Sequence, residues 1–221
     1  MAVGRRLPLA LLLALALAGC GGGPKQSAPP ATTAASGCTA VTAPASQSKT
    51  EPKPTARLDP ARTYDVTFAT NCGSFTIRLA VTISPATTAS FVSLVRKGYF
   101  DGTVFHRIVP GFVIQGGDPT GTGMGGPGYS TVDKPPVSTT YTLGVAAMAK
   151  AGNEAAGTSG SQFFVVTTQN AQLPPDYAVL GKVVQGLAVV KAIGQLGDPA
   201  SGGNGTPTET VEIEKATVAV S

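Results

Sequence analysis

The stretch Phe105–Asp118, FHRIVPGFVIQGGD, sets a guanidinium (Arg107) and an amide (Gln115) inside an otherwise apolar run, beside the chain's only histidine, His106. Period-2 alternation on either side of Pro110–Gly111 predicts two strands joined by a tight turn. Polar groups placed among residues that want burial are costly unless they are satisfied or used. Further along the chain, Gln162 stands two residues before Phe164, and Leu173 follows. Phe112, Val113, Phe164 and Leu173 supply apolar surface, while Arg107, Gln115 and Gln162 supply fixed hydrogen-bonding groups. An apolar pocket with a few convergent polar groups is the usual form of a small-group binding site. Phe112 and Phe164 taken alone read equally well as core, and Gln115 as a partner for loop backbone at Gly116–Gly117. Arg107 is what a core does not explain, because a guanidinium stays charged and is expensive to bury without a partner or a role.

Other chemistries find little support. One histidine cannot build a multi-histidine metal site, and no cysteine pair has CxxC spacing, so no metal is expected. Gly157–Gly160 lacks the G-x-S-x-G nucleophile elbow, and His106 has no acidic partner in sequence. Gly121–Gly126 matches GxGxxG literally, but it runs into Pro127–Gly128, so no helix N-terminus follows to hold a pyrophosphate. It reads as a loop.

The elements that must position these groups follow from the same patterns. Tyr64, Val66 and Phe68, a turn at Asn71–Ser74, then Phe75, Ile77 and Leu79 predict a β-hairpin. Ser84–Pro85 reads as an N-cap and first turn of a helix with Ala89, Phe91, Val92, Leu94 and Val95 on its apolar face, ending at Gly98. Three more strands are predicted over Thr142–Ala149, Gln162–Thr167 and Val179–Val184. A second helix fits Leu187–Ile193, and Val211, Ile213 and Val218 mark a closing strand with a bulge near Lys215. Eight strands and two helices suit a mostly β chain: a closed eight-stranded antiparallel barrel capped by the helices, since closure removes exposed edges.

The N-terminus bounds where such a domain works. Arg5–Arg6 and the apolar run Leu7–Ala18, too short for a spanning helix, predict a signal peptide over residues 1–19. Leu17-Ala18-Gly19-Cys20 resembles the bacterial lipobox, which implies a lipid-modified Cys20 as the mature terminus. Residues 20–60, rich in Pro, Ser, Thr and Ala, predict a disordered spacer, and residues 61–221 a folded domain. The formal charge of +4 is mild, and two of the arginines behind it fall in the leader, so no nucleic-acid partner is implied. Cys38 and Cys72 remain, in a chain bound for an oxidising compartment. They are either bridged or two free thiols, and the bridge is preferred because no metal-type spacing competes. It would close a loop of about 34 residues, for which chain entropy allows at most ~3–4 kcal/mol.

Phe105–Asp118 resembles the cyclophilin signature almost position by position. Met148-Ala149, Ala151-Gly152 and Gly160-Ser161-Gln162-Phe163-Phe164 are similar to its second block, and Leu180–Gly186 to its third. The resemblance runs from Tyr64 to the C-terminus in the right order. It implies a peptidyl-prolyl cis–trans isomerase without a cofactor, acting on proline-containing polypeptides. It assigns catalysis to Arg107 with Gln115 and Phe112. Val113, Phe164 and Leu173 complete a proline-ring pocket, and Gln162 with Met148, Ala149, Lys150 and Ala151 holds the peptide extended. His106 becomes a supporting neighbour, since no proton has to move.

Departures from the family pattern qualify the assignment. Gln172 stands where many members have tryptophan, which weakens expected cyclosporin binding. Tyr177 replaces a histidine and can still donate a hydrogen bond. Lys150 replaces an asparagine whose backbone contact can survive. Asn153–Thr158 is longer than the common loop and bears on the groove for residues preceding proline. The expectation is a monomeric, membrane-anchored isomerase outside the cytoplasm, assisting exported polypeptides. The rivals are a peptide-binding chaperone with the same groove and little catalysis, and a solute-binding lipoprotein. The latter usually has two α/β lobes, for which this chain has too few helices.

Overall fold

A computed structural model of the protein describes residues 37–221, so the leader, Cys20 and residues 21–36 lie outside it. The hairpin forms as the alternation requires, with β1 (Tyr64–Thr70) and β2 (Gly73–Leu79) turning at Asn71–Cys72. Helix α1 (Pro85–Arg96) follows, then β3 (Thr103–Val104), β4 (Arg107–Val109) and β5 (Val113–Gly116). The chain continues through β6 (Thr131–Val132), β7 (Val145–Met148), β8 (Thr158–Ser159) and β9 (Phe163–Val166). Last come β10 (Val179–Gln185), helix α2 (Leu187–Ile193), a 3-10 segment (Pro199–Asn204) and β11 (Glu212–Val220).

Nine strands pair antiparallel in the order β3-β11-β1-β2-β10-β7-β9-β5-β4, and β6 pairs with β8 separately. The expected closed eight-stranded barrel is thus corrected to an open nine-stranded sheet curled into a half-barrel. The two outer strands explain the difference. They are one stretch of chain, 103–109, interrupted at Phe105–His106. Its first half pairs with β11 and its second half with β5. The Phe105 N–H donates to Val211 O, while Ile108 N–H donates to Gly205 O at 2.7 Å. The strand therefore divides its partners, and a loop rather than a strand covers the outer edge of β4. The bulge expected near Lys215 is present. Ala69 faces Lys215 and Thr70 faces Ile213, which leaves Glu214 as the extra residue.

The interior is built on aromatic packing. Phe68, Phe75, Phe91, Phe100, Phe105 and Phe163 are essentially inaccessible. Phe68 lies 5.2 Å from Phe75 and 5.1 Å from Phe163 between ring centroids, and Phe91 lies 4.8 Å from Phe100. Helix α1 contributes Phe91, Val92, Leu94 and Val95 to this core. Its first turn is not capped by the Ser84 hydroxyl, which has no partner despite full burial. The carboxylate of Asp133, from a distant loop, instead accepts from Thr87 N at 2.6 Å. An acidic group near these orphan N–H donors also suits the helix dipole.

Residues 38–59, predicted as part of a disordered spacer, carry almost no regular structure but lie against the body. Cys38 is disulfide-bonded to Cys72 in the hairpin turn, with the Cα atoms 4.1 Å apart, so the two-thiol alternative falls. Leu58 packs on the core, and Asp59 N donates to the Tyr64 hydroxyl at 3.2 Å. Among the described residues the packed body thus extends back to Cys38, ahead of residue 61. No helix among the described residues is long and apolar enough to cross a membrane.

Candidate active site

The pleat of the sheet creates the site. On β4, β5, β9 and β7 the residues Ile108, Ile114, Val165 and Ala146 face the aromatic core. Their chain neighbours face outward, because side chains alternate along a strand. The ladder sets Arg107 opposite Gln115, Gln115 opposite Phe164, and Phe164 opposite Ala147. One cross-strand row therefore brings the guanidinium, the amide and the aromatic floor together. Gly111, at φ +68°, turns the chain between β4 and β5. That turn raises Phe112 at the rim of the row.

A cavity of about 300 Å³ lies over this row, lined by Arg107, Phe112, Val113, Gln115, Ala149, Lys150, Phe164, Leu173 and Tyr177. Phe164 and Tyr177 meet edge to face at 5.5 Å between ring centroids. Tyr141, which sequence reasoning did not single out, braces them from below. Its hydroxyl donates to Tyr177 O at 2.6 Å and accepts from Tyr177 N at 3.0 Å. Burial raises this hydroxyl's pKa to about 12, so it remains a donor. The pocket is a stiff apolar slot.

Arg107 is half-buried at its wall. Nε and one terminal nitrogen donate to Gly203 O at 3.1 and 2.9 Å, and the other terminal nitrogen donates to Gln115 Oε1 at 3.3 Å. These contacts engage three of the five N–H donors of a guanidinium. All the acceptors are neutral, and none of the ion pairs among the described residues involves Arg107. Burial lowers its pKa, with the Tyr177 ring opposing that, but the group stays charged. The site thus keeps an uncompensated cation with spare donors beside an apolar slot.

The amides continue as a chain. Gln115 Nε2 donates to Gln162 Oε1 at 3.1 Å, and Gln162 Nε2 donates to Gly123 O and Gly125 O at 2.9 and 3.0 Å. Those carbonyls belong to the loop that matched GxGxxG. No helix follows it, as expected. It walls a second cavity of about 790 Å³, which shares Gln115, Ala149 and Lys150 with the first and adds Ala151, Glu154 and Gln162. Asp118 fixes the loop, accepting from Thr120 N at 2.7 Å, Gly123 N at 2.6 Å and Gly125 N at 3.1 Å. Burial alone would raise this carboxyl's pKa, but the hydrogen bonds from Thr120, Gly125 and Gly123 outweigh it and hold it below the ordinary value. Only glycine fits at 125, where a Cβ would come within 2.0 Å of Asp118 Oδ1.

The remaining predicted residues divide. Lys150 folds back, donating to Glu154 O at 3.1 Å, and its ammonium lies 5.6 Å from the Tyr177 ring centroid. It steadies the longer loop between the two cavities. Met148 is a correction: the parity of β7 turns it into the main core at 1% exposure, and it lines neither cavity. His106 also lines neither cavity. It sits behind the loop, its ring 3.7 Å from where a Cβ on Gly123 would be. Burial chiefly lowers its pKa, Asp118 opposing and Arg107 adding to the effect. Gln162 and Val104 lie near enough to influence the ring, yet neither ring nitrogen reaches hydrogen-bonding geometry. Gln172 is exposed and adopts φ +53°, a left-handed conformation. Sequence reasoning missed Asp118 as organiser and Gly203 as acceptor. A turn of glycines after Asp118 was the available signal for the first, and a backbone carbonyl gives none.

Known proteins resemble this chain over most of the described residues. The family described as cyclophilin type peptidyl-prolyl cis-trans isomerase/CLD matches residues 65–218. A peptidyl-prolyl cis-trans isomerase-like 1 of Gibberella zeae is 39% identical over 160 residues, 71% of this chain and 95% of that protein. Peptidyl-prolyl cis-trans isomerase A of Mycobacterium tuberculosis is 39% identical over 180 residues, 72% of this chain and 94% of its own. A crystal structure of a cyclophilin type isomerase from Cryptosporidium parvum superposes with a TM-score of 0.63 at 30% identity, covering 71% of this chain and 98% of that one. The same protein crystallised in the presence of the dipeptide Ala-Pro gives a TM-score of 0.63 at 31% identity, covering 70% and 98%.

Proposed function

The chain belongs to the cyclophilin-type peptidyl-prolyl cis-trans isomerases, and from that membership we propose that Arg107 is the group that lowers the barrier. The barrier is ~20 kcal/mol and comes from amide resonance. At the twisted transition state the prolyl nitrogen becomes pyramidal and its lone pair can accept a hydrogen bond. A guanidinium aimed at that nitrogen stabilises the twisted state more than either planar state, which is what catalysis requires. The slot formed by Phe112, Val113, Phe164 and Leu173 takes the proline ring. Gln115 keeps the guanidinium aimed, and Gln162 with the backbone at Ala149–Lys150 holds the peptide extended. No proton moves and no cofactor enters.

The observation that carries this reading is the uncompensated cation. Arg107 is fastened by a backbone carbonyl and an amide rather than by a carboxylate. A carboxylate would have spent its charge. A chaperone that only bound peptides would have no use for it. The presence of Ala-Pro with a structural relative supports a proline-containing ligand for this groove as well. The test is isomerisation of a proline tetrapeptide by the purified protein, in a protease-coupled assay. Arg107→Ala is expected to lose about 100- to 1,000-fold in kcat/KM, the scale for removing one preorganised donor. No catalysis by the unmodified protein would leave the binding module instead.

We further propose that the isomerase is exported and tethered through a lipid on Cys20, where it would meet emerging polypeptides. The leader Arg5–Ala18 and the cysteine after Gly19 support this. The Cys38–Cys72 disulfide fits an oxidising compartment. Mass spectrometry of the mature N-terminus should find a diacylglyceryl group on Cys20. An unmodified terminus cut elsewhere would overturn the tether.

A further inference from the structure

The segment ahead of β1 touches the back of the groove loop at both of its ends. Gln47 N–H donates to Pro119 O at 2.9 Å, and Glu51 N–H donates to Pro127 O at 2.9 Å. Pro119 and Pro127 are buried and flank the loop that carries Gly123 and Gly125. Beyond its far end, Lys53 Nζ donates to Ser130 O at 2.8 Å. The segment is itself fastened along its length. Cys38 is bonded to Cys72, Lys49 Nζ donates to Tyr99 O and Asp101 O at 3.0 and 3.2 Å, and the Glu51 carboxylate pairs with Lys97.

We propose that Gln47–Lys53 splints this loop at a fixed span, and so sets how tightly the groove grips peptide residues that precede the proline. This inference rests on the isomerase reading of the groove. A glycine-rich loop loses much conformational freedom when ordered. Fastening it from outside removes part of the cost that a bound peptide would otherwise meet. The effect belongs to peptides long enough to reach the second cavity. It should barely reach the step at Arg107, which is held directly by Gly203 O and meets this loop only through Gln115 and then Gln162.

The test compares two synthetic peptides in the full chain, one beginning at the residue before proline and one extended by three further residues. Glu51→Pro removes both the N–H donor and the Lys97 partner, whereas Glu51→Ala removes only the partner. In Glu51→Pro the KM of the extended peptide should rise about fivefold with kcat held, the scale of one hydrogen bond lost. The short peptide and Glu51→Ala should stay near the unmodified values. Cys38→Ser/Cys72→Ser, which frees the outer anchor, should shift the extended peptide in the same direction. An unchanged ratio of the two KM values in both Glu51→Pro and the double serine variant overturns the proposal. An equal rise for both peptides also overturns it, since that is general loosening. If the unmodified protein isomerises neither peptide, the isomerase reading falls. The same ratio is then taken from dissociation constants by calorimetry, and the same outcomes apply.

Discussion

Phe163 and Phe164 are consecutive residues of one strand and belong to two different regions of the molecule. Phe163 packs among Phe68, Phe91, Phe100 and Phe105 in the core. Phe164 forms the floor of the slot with Tyr141 and Tyr177. The first region is filled and apolar, while the second is left open and carries a cation with two amides. What separates them is the thickness of one sheet. The site is the reverse side of the core, so its stiffness comes from packing that never touches a substrate. That explains how a short row of side chains can keep a half-buried guanidinium in place on strands of only three or four residues.

Substitutions on the two faces should separate stability from activity. The largest expected contrast is between the two phenylalanines. Phe163→Ala should cost about 3–5 kcal/mol in denaturant unfolding, the range for a large core aromatic. Its folded fraction should still catalyse. Phe164→Ala should cost less stability, because one side of the ring already borders a cavity, and should raise KM about tenfold or more. Equal destabilisation by both would break the distinction between the regions. Next in size, Gln115→Ala should lower kcat/KM about tenfold, by leaving Arg107 and Gln162 each short of a partner.

Acidification should separate the faces by another route. The His106 pKa is depressed from 6.5, so the unfolded chain binds the proton first. Stability is therefore full above about pH 6.5 and declines as pH falls through the lowered value. Asp118, depressed from 3.8, adds a second loss in the same direction at lower pH. Catalysis per folded molecule should stay flat from about pH 6 to 8, since Arg107 does not titrate there. A bell-shaped kcat in that range would contradict a mechanism without proton transfer. The smallest effect concerns the rim. Cyclosporin binding should be weak and should strengthen in Gln172→Trp, which calorimetry would show. No gain would place the weakness elsewhere in the groove.

Much of this was legible in the chain because alternation has a sign. The misfit of Arg107 and Gln115 in an apolar run marked them as residues with a use, and the tight turn at Pro110–Gly111 predicted two strands, which the structure pairs so that the two side chains stand opposite each other. Met148 shows the limit of the same reasoning, since a motif names a residue but only strand parity says which face it takes. Residues 38–59 differ from what composition predicts for a different reason. Composition measures the capacity to bury apolar surface, whereas this segment is held by backbone N–H groups, lysine ammoniums on carbonyls and one disulfide. Gly203 escaped notice because every residue offers a carbonyl. Asp133 escaped notice because a helix cap supplied from a distant loop has no local spacing.

In the proposed mechanism Arg107 acts on the twisted peptide and not on the bound planar one. Exchange NMR on a proline peptide measures both quantities in one sample, the dissociation constant and the cis–trans interconversion rate on the protein. For Arg107→Ala the expected result is a dissociation constant within about threefold of the unmodified protein and an interconversion rate about 100-fold slower or more. A variant that binds several orders of magnitude more weakly while interconverting bound peptide at the original rate would contradict it, and would make Arg107 a binding residue only.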